Sequence, residues 1–521
     1  MELAEFRLLV AKHLDHCQLK TCAQVCREWH RDFQPLIWRH FSVRPSRTEA
    51  ASQYDGVRNN THRIQNLHWC FMPQQPSTAP LLYNLLATEC RSLVSLFMEL
   101  NKRPLWDLCH DLLEQNKQTL QRITLTFMGS DWLPSRDQQL SDTLKSFTSL
   151  HHLEVNHVHF SISTLFDLLT NNPSLQSLEI WNSSAPHVVE GCDGNQLLPP
   201  HFPPCPSSSV DVPMFGLRRL TIGGWCDPAL AALLTCCRSL ERFSYCTMSE
   251  AAHEEVCQLI RDRHFPDLKS LGLEACNRQP SYLPKILSCF PPHHLTTIAL
   301  WYPLATHVQG LVEHQHQSLE NVNIDILHGQ EGSIIELLSR CSRLQTLRFA
   351  VDVVGVEVRQ AIARPWVCTK LKELEVSFVL DPDCDDAALL SLASEEKAAA
   401  GGPGRAEHEQ AMVVLMTRLG QLKQLRTVDF RLCDHFGYVA DMIGSPEALP
   451  WSMANGFAHL GQWTCLRELT FDPTRDLPLD IPELQFMRQH WVSLKRLAPG
   501  KLASELTRRW LNEHWPELEM D

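Results

Sequence analysis

The sequence predicts an α/β solenoid, with a parallel sheet on an inner face and helices outside it. Three observations carry that prediction. A short apolar phrase returns along the chain, starting at Ile64, Leu93, Leu120, Leu150, Leu175, Leu217, Leu240, Leu268, Leu295, Leu319, Leu344, Leu371, Leu425, Leu466 and Leu494. Its last two apolar positions are two residues apart and so share one face of a strand. Between the phrases the apolar rhythm becomes helical. Finally, 521 residues are too many for one compact core and ordinary for an array of stacked units.

The clearest phrases are Leu175, Leu178, Ile180; Leu268, Leu271, Leu273; Leu344, Leu347, Phe349; and Leu371, Leu374, Val376. Each is an aliphatic, two variable residues, an aliphatic, one variable residue and a further apolar side chain. Most starts are spaced within a period of about 20–29 residues. In these residues the chain resembles leucine-rich-repeat proteins. That resemblance implies a horseshoe with a parallel inner β-sheet and outer helices. The intervening segments agree: Leu165, Leu168 and Leu169 precede Asn172-Pro173; Leu230, Leu233 and Leu234 precede Cys237; Ile335, Leu337 and Leu338 precede Cys341. Each reads as a short amphipathic helix, a breaker, then the next strand.

Residues 1–45 follow a different pattern. Cys22, Val25, Cys26 and Trp29 lie at i, i+3, i+4 and i+7, one helix face. Leu3, Phe6, Val10, Leu14, Leu19, Leu36 and Trp38 are the other large apolar positions singled out in this stretch. The run Val25-Cys26-Arg27-Glu28-Trp29, with Leu19 before it and Leu36-Ile37-Trp38 after it, resembles an F-box; Leu3 opens the motif, with Ala4 where that family usually has proline. The expected organisation is therefore a small all-α F-box at 1–45, a repeat solenoid at 46–501 and a capping helix at 502–521, where Leu502, Leu506 and Trp510 share one helix face. The pairing resembles F-box proteins with C-terminal leucine-rich repeats, of the fungal type. It implies a substrate-recognition subunit of a cullin-type (SCF) ubiquitin ligase, in which residues 1–45 dock a Skp-type adaptor and the repeats hold a protein client of unknown identity. The alternative is a non-catalytic repeat scaffold whose degenerate F-box serves only as a cap.

Two insertions break the period. Residues 182–215 are rich in proline and serine, and residues 381–410 join an acidic run, Asp381 to Asp386, to Ala398–Gly404. Both are expected to be surface loops, since long insertions add little closure entropy; a helix is expected at about 409–420.

Composition excludes several classes. A net charge of −13 opposes a nucleic-acid footprint. No apolar run approaches the roughly 20 residues of a membrane span. Glu2, Glu5, Arg7 and Lys12 interrupt any apolar leader, so the expectation is a cytoplasmic and/or nuclear chain whose 20 cysteines stay reduced. Cys90, Cys236, Cys289 and Cys341 fall where the pattern takes a small hydrophobe. Cys17, Cys22, Cys26 and His30 lack the spacing of a zinc finger, and His151, His152, His157 and His159 form a cluster of the kind expected among 26 histidines. No phosphate loop, nucleophile elbow, kinase signature or zincin motif occurs. The expectation is no enzyme, no metal and no cofactor.

What remains is the inner sheet face, lined by the third, fifth and seventh residues of each phrase. Trp181 and Trp301 stand at equivalent seventh positions, and exposed tryptophan and arginine are enriched at binding hot spots. With Arg219, Arg242, Glu274 and Asp325 they make the expected client-binding set.

Overall fold

The computed structural model describes residues 3–43, 56–70, 79–100, 103–127, 134–181, 214–223, 230–245, 250–274, 282–301, 303–326, 332–351, 356–379, 403–431, 451–471, 476–498 and 501–520, apart from a few single positions within them. The chain divides into two compact units, Met1–Leu268 and Lys269–Asp521. Each is an α/β solenoid built on parallel strands.

The first unit opens with three helices, α1 (Leu3–Ala11), α2 (His16–Ala23) and α3 (Arg27–Ile37). Strands follow at β1 (His40–Val43), β2 (Asn66–Trp69), β3 (Ser95–Leu100), β4 (Arg122–Phe127), β5 (His152–Asn156), β6 (Ser177–Trp181), β7 (Arg219–Gly223) and β8 (Arg242–Tyr245). Each pairs in parallel with the next, without a register slip. The outer layer is built of helices such as Ala79–Glu89, Arg103–Gln115 and Ile162–Asn171. The sheet thus starts one strand earlier than the first phrase at Ile64: His40–Val43, assigned above with the helical segment, is hydrogen-bonded to β2. Its alternating burial, with Phe41 and Val43 inside, is too short a pattern to read from sequence.

In the second unit the strands are β9 (Ser270–Glu274), β10 (Thr297–Trp301), β11 (Asn321–Ile326) and β12 (Thr346–Val351), then Glu373–Glu375, Thr427–Asp429, Glu468–Thr470, Arg496–Ala498 and Glu519–Met520. All run parallel. Leu178 in the first unit and Leu271, Leu347 and Leu374 in the second are buried, as the phrase requires. Fully burying a leucine contributes about 1.5–3 kcal/mol, so a column of them supplies the core that one repeat lacks.

At three helix ends a buried amide reaches back to the turn of the preceding repeat. Asn116 accepts from Leu93 N at 2.9 Å and donates to the Cys90 carbonyl at 2.8 Å. Asn172 donates to the Leu144 carbonyl at 3.1 Å, and Gln315 accepts from Leu295 N at 3.0 Å. These side chains satisfy main-chain groups that neither helix nor sheet can reach.

Cys90, Cys236, Cys289 and Cys341 are buried thiols outside any disulfide. Burial pushes the Cys90 and Cys341 thiols up to about 12, so both are held as packed, protonated side chains.

The two insertions lie largely outside the described residues. The helix after the second runs Pro403–Gln421, starting earlier than expected. At the chain end the helix is Glu505–His514, followed by a further strand. Its inward residues are Thr507 and Leu511, while Leu506 is 71% exposed. The expected face through Leu502, Leu506 and Trp510 is therefore corrected: Leu502 belongs to a short strand paired with Asp476–Leu477, and the helix begins in a different phase.

Candidate functional site

The N-terminal helices carry one candidate surface. Helix α1 has apolar residues on most of its circumference, so one apolar side must face out. The structure turns Arg7 and Ala11 inward and leaves Phe6 (56% exposed), Leu8, Leu9 and Val10 outside. Arg7 is held there by charge: its Nη2 lies 2.6 Å from Asp32 Oδ2 and its Nη1 3.3 Å from Glu28 Oε2, both on α3. Val25, in the turn before α3, is 63% exposed and Cys26 beside it is exposed.

The ten residues singled out for adaptor contact therefore divide. Phe6, Val10, Val25 and Cys26 face outward. Leu19 and Leu36 belong to the bundle core with Phe33, and Leu14 and Trp29 pack against it. The Trp29 ring is tilted against Phe33, with centroids 5.3 Å apart. Trp38 is half-buried, 6.0 Å from the Phe41 ring, and a Cβ on Gly56 would sit 2.8 Å from it. The Leu3 side chain and that of Cys17 lie outside the described residues. Leu19 and Leu36 are corrected from contact residues to packing residues: their faces of α2 and α3 meet each other. Leu8 and Leu9, outside that set, are exposed beside Phe6 and Val10.

The second candidate surface is the inner sheet face of the first unit. Its first row runs across the strands as Arg122, His152, Ser177, Arg219 and Arg242, each the register partner of the next. Arg122, Arg219 and Arg242 are exposed, and among the described residues none of them is in an ion pair. The next row contains Glu154 and Glu179, also register partners and half-buried. Glu154 accepts from Thr124 Oγ1 at 3.3 Å and from Asn156 Nδ2 at 3.1 Å. The third row holds Asn156, Trp181 and Gly223. Trp181 lies over Gly223: a Cβ there would come 2.6 Å from the indole, so only glycine leaves room for the ring. The ring is half-exposed and fixed by its neighbour strand.

In the second unit, Glu274, Trp301 and Asp325 form one row on β9, β10 and β11. Trp301 and Asp325 are half-buried, and the Glu274 side chain lies outside the described residues. The six expected client residues thus form two groups, Trp181, Arg219 and Arg242 in one unit and Glu274, Trp301 and Asp325 in the other. The inner-face arginines of the second unit differ from those of the first. Arg348 is 3.3 Å from Glu373 and 4.0 Å from Glu375; Arg431 is 2.5 Å from Asp429; Arg496 is 3.9 Å from Glu468 and 3.7 Å from Glu519.

Burial raises the Glu179 carboxyl above its ordinary value of 4.5, Glu154 raises it further, and Arg219 and Arg242 oppose both. Burial and Arg122 lower His152, which Glu154 only partly offsets, so the row is cationic at its arginines and neutral at its histidine near pH 7. A carboxyl raised on folding contributes stability that is full below 4.5 and is lost as pH rises through its folded value. Urea unfolding of Glu179→Gln should therefore give a stability relative to wild type that increases from pH 4 upward. A difference that stays flat with pH would refute the coupling.

No family model matches the chain, and no curated protein sequence does. Among solved structures the chain is similar to a chain of the crystal structure of the Rad7 and Elc1 complex in yeast, at 12% identity over 91% of this chain and 92% of that one, with a TM-score of 0.42.

Proposed function

We propose that the protein is the substrate-recognition subunit of an SCF-type cullin ubiquitin ligase, with α1–α3 docking a Skp-type adaptor and the repeat face holding a protein client. The observation that carries the reading is the outward apolar face of α1, Phe6, Leu8, Leu9 and Val10, together with Val25. Large apolar side chains exposed together on a helix mark a protein interface. They coincide with the part of the chain that resembles an F-box. In this reading the protein is not an enzyme, works in the cytoplasm and/or nucleus, and acts by proximity: it raises the local concentration of client lysines at the ubiquitin-loaded enzyme.

One observation favours a second reading. The helices lead directly into β1, whose pairing with β2 makes them a cover for the first strand of the sheet. A scaffold with a degenerate F-box would need no more than that.

Adaptor capture separates the two. Wild-type protein is expected to retain a purified Skp-type adaptor at micromolar concentration. Phe6→Glu/Val10→Glu should reduce retention at least tenfold, the effect of removing hot-spot residues worth about 1–2 kcal/mol or more, with the helical content of the bundle intact because both positions are exposed. No retention by the wild type would leave the scaffold reading standing.

A further inference from the structure

The first row of the inner face in unit one holds three exposed arginines, none of them in an ion pair among the described residues; Glu179 and Glu154 stand one row away, the latter 4.0 Å from His152. Arg219 and Arg242 are register partners on adjacent strands, so their backbones are about 4.8 Å apart. Like charges on facing positions oppose each other. A sheet face that served only solubility would intersperse acids, as the second unit does at Arg348, Arg431 and Arg496. Here the nearest acids, Glu154 and Glu179, stand one row away; Thr124 and Asn156 already hydrogen-bond to Glu154. Ser177, in the middle of the row, is 6% exposed and its hydroxyl has no hydrogen-bond partner. Exposed arginines in one line, with the acids held a row away and half-buried, point to a ligand that supplies acceptors along that line.

We propose that this row binds an extended acidic segment of a protein partner, with one Asp or Glu carboxylate shared between Arg219 and Arg242 and a second carboxylate four residues away on Arg122. The spacing follows from the sheet. Arg122 and Arg219 are three strand steps apart, about 14 Å, and four residues of extended chain span about 13–14 Å. Adjacent guanidinium groups suit the two oxygens of one carboxylate. The middle of the segment crosses His152 and the buried Ser177. Two carboxylates stay within the charge of the three arginines, whereas two phosphate dianions would exceed it and meet the repulsion of Glu154 and Glu179. These two glutamates also disfavour a second line of acids on the same segment. Trp181, on the strand of Ser177 and Glu179, offers its half-exposed ring to a side chain leaving the row in that direction. The proposal rests on the receptor reading in one respect only, that the inner face is where a protein partner is held.

The test uses the full chain and fluorescein-labelled twelve-residue peptides in a Gly/Ser background, read by anisotropy at low ionic strength. One peptide carries Glu at two positions four apart, one carries Gln there and one carries phosphoserine. The Glu peptide is expected to bind, to weaken as salt is raised, and to outbind both others. Arg219→Ala/Arg242→Ala should weaken it about tenfold, two charge contacts' worth, and Glu179→Gln should tighten it about threefold by removing a nearby negative charge. Arg348→Ala, in the other unit, should leave it unchanged. Equal affinity for wild type and Arg219→Ala/Arg242→Ala, or no binding of the Glu peptide, overturns the site. Tighter binding of the phosphoserine peptide overturns the assignment to carboxylates. Adaptor capture is measured on the same preparations. Adaptor retained with no peptide bound sinks this site and leaves the ligase reading, while peptide bound with no adaptor retained does the reverse.

Discussion

Trp491→Ala is expected to lower the unfolding free energy of the second unit by about 3–5 kcal/mol, the cost of truncating a large buried aromatic. Trp491 is fully buried in that unit. Its ring stacks at 5.6 Å on Trp463 and lies 5.7 Å from Phe457. Its Nε1 donates to the Leu460 carbonyl at 2.9 Å, as Trp463 Nε1 donates to the Leu419 carbonyl at 2.8 Å. Alanine removes the ring contacts and the indole hydrogen bond, leaving the Leu460 carbonyl only the Trp463 amide at 3.0 Å. Trp491→Phe keeps most of the ring and loses the hydrogen bond, so about 1 kcal/mol is expected. Val492, the next residue, is 79% exposed, and Val492→Ala should change stability by no more than about 0.5 kcal/mol. Urea titrations of the three variants, compared at equal slope, measure the ordering. A Trp491→Ala cost below that of Trp491→Phe would refute this account of the packing.

Asp32→Ala is expected to be nearly as damaging, and its effect is local to the helices. Removing one partner of a buried ion pair costs up to about 3–5 kcal/mol, and Arg7 would keep only the exposed Glu28. Arg7 is 6% exposed and Asp32 is its nearest counter-charge, at 2.6 Å, while Glu28 is mostly exposed and 3.3 Å away. Without Asp32, α1 gains by rotating Arg7 to water and turning Phe6, Leu9 and Val10 inward. Adaptor capture should then fall with the local stability. The double variant Arg7→Leu/Asp32→Leu separates the two effects. Replacing a buried pair by apolar groups is often neutral or stabilising, so helical content should return. Hydrogen exchange on residues 3–37, run beside adaptor capture, reads both. Unchanged protection in Asp32→Ala would show that the ion pair does not set the orientation of α1.

The repeat was legible in the sequence because it is local and recurs. Leu178 and Ile180 alternate with Glu179 and Trp181 within one strand, and each repeat meets a near copy of itself, so the burial of one phrase holds for the rest. The same alternation puts Trp181, Arg219, Arg242, Trp301 and Asp325 on one face of their strands, as the sheet register does. The distinct apolar pattern of residues 1–45 marked the segment that forms α1 to α3, and the cysteines at helix ends were legible as small hydrophobes.

The rest was decided by partners distant in sequence. Which side of α1 faces out depends on Asp32 in α3, and no periodicity within α1 contains that information. Leu506 follows Leu502 at helical spacing yet stands in water, because Leu502 is drawn into a strand with Leu477 and the helix starts afresh at Glu505. The first strand, His40–Val43, is defined by its hydrogen bonds to Asn66–Trp69 across a stretch that carries no phrase. The charges show the difference most clearly. Arg219 and Arg348 are equivalent in kind, each an arginine on an inward strand position. Glu373 on the next strand neutralises Arg348, whereas the next strand places Arg242 beside Arg219. A sequence lists charges in chain order; only the sheet register sets their Coulomb neighbours, and those neighbours separate a paired, solvated face from one with charge left for a partner.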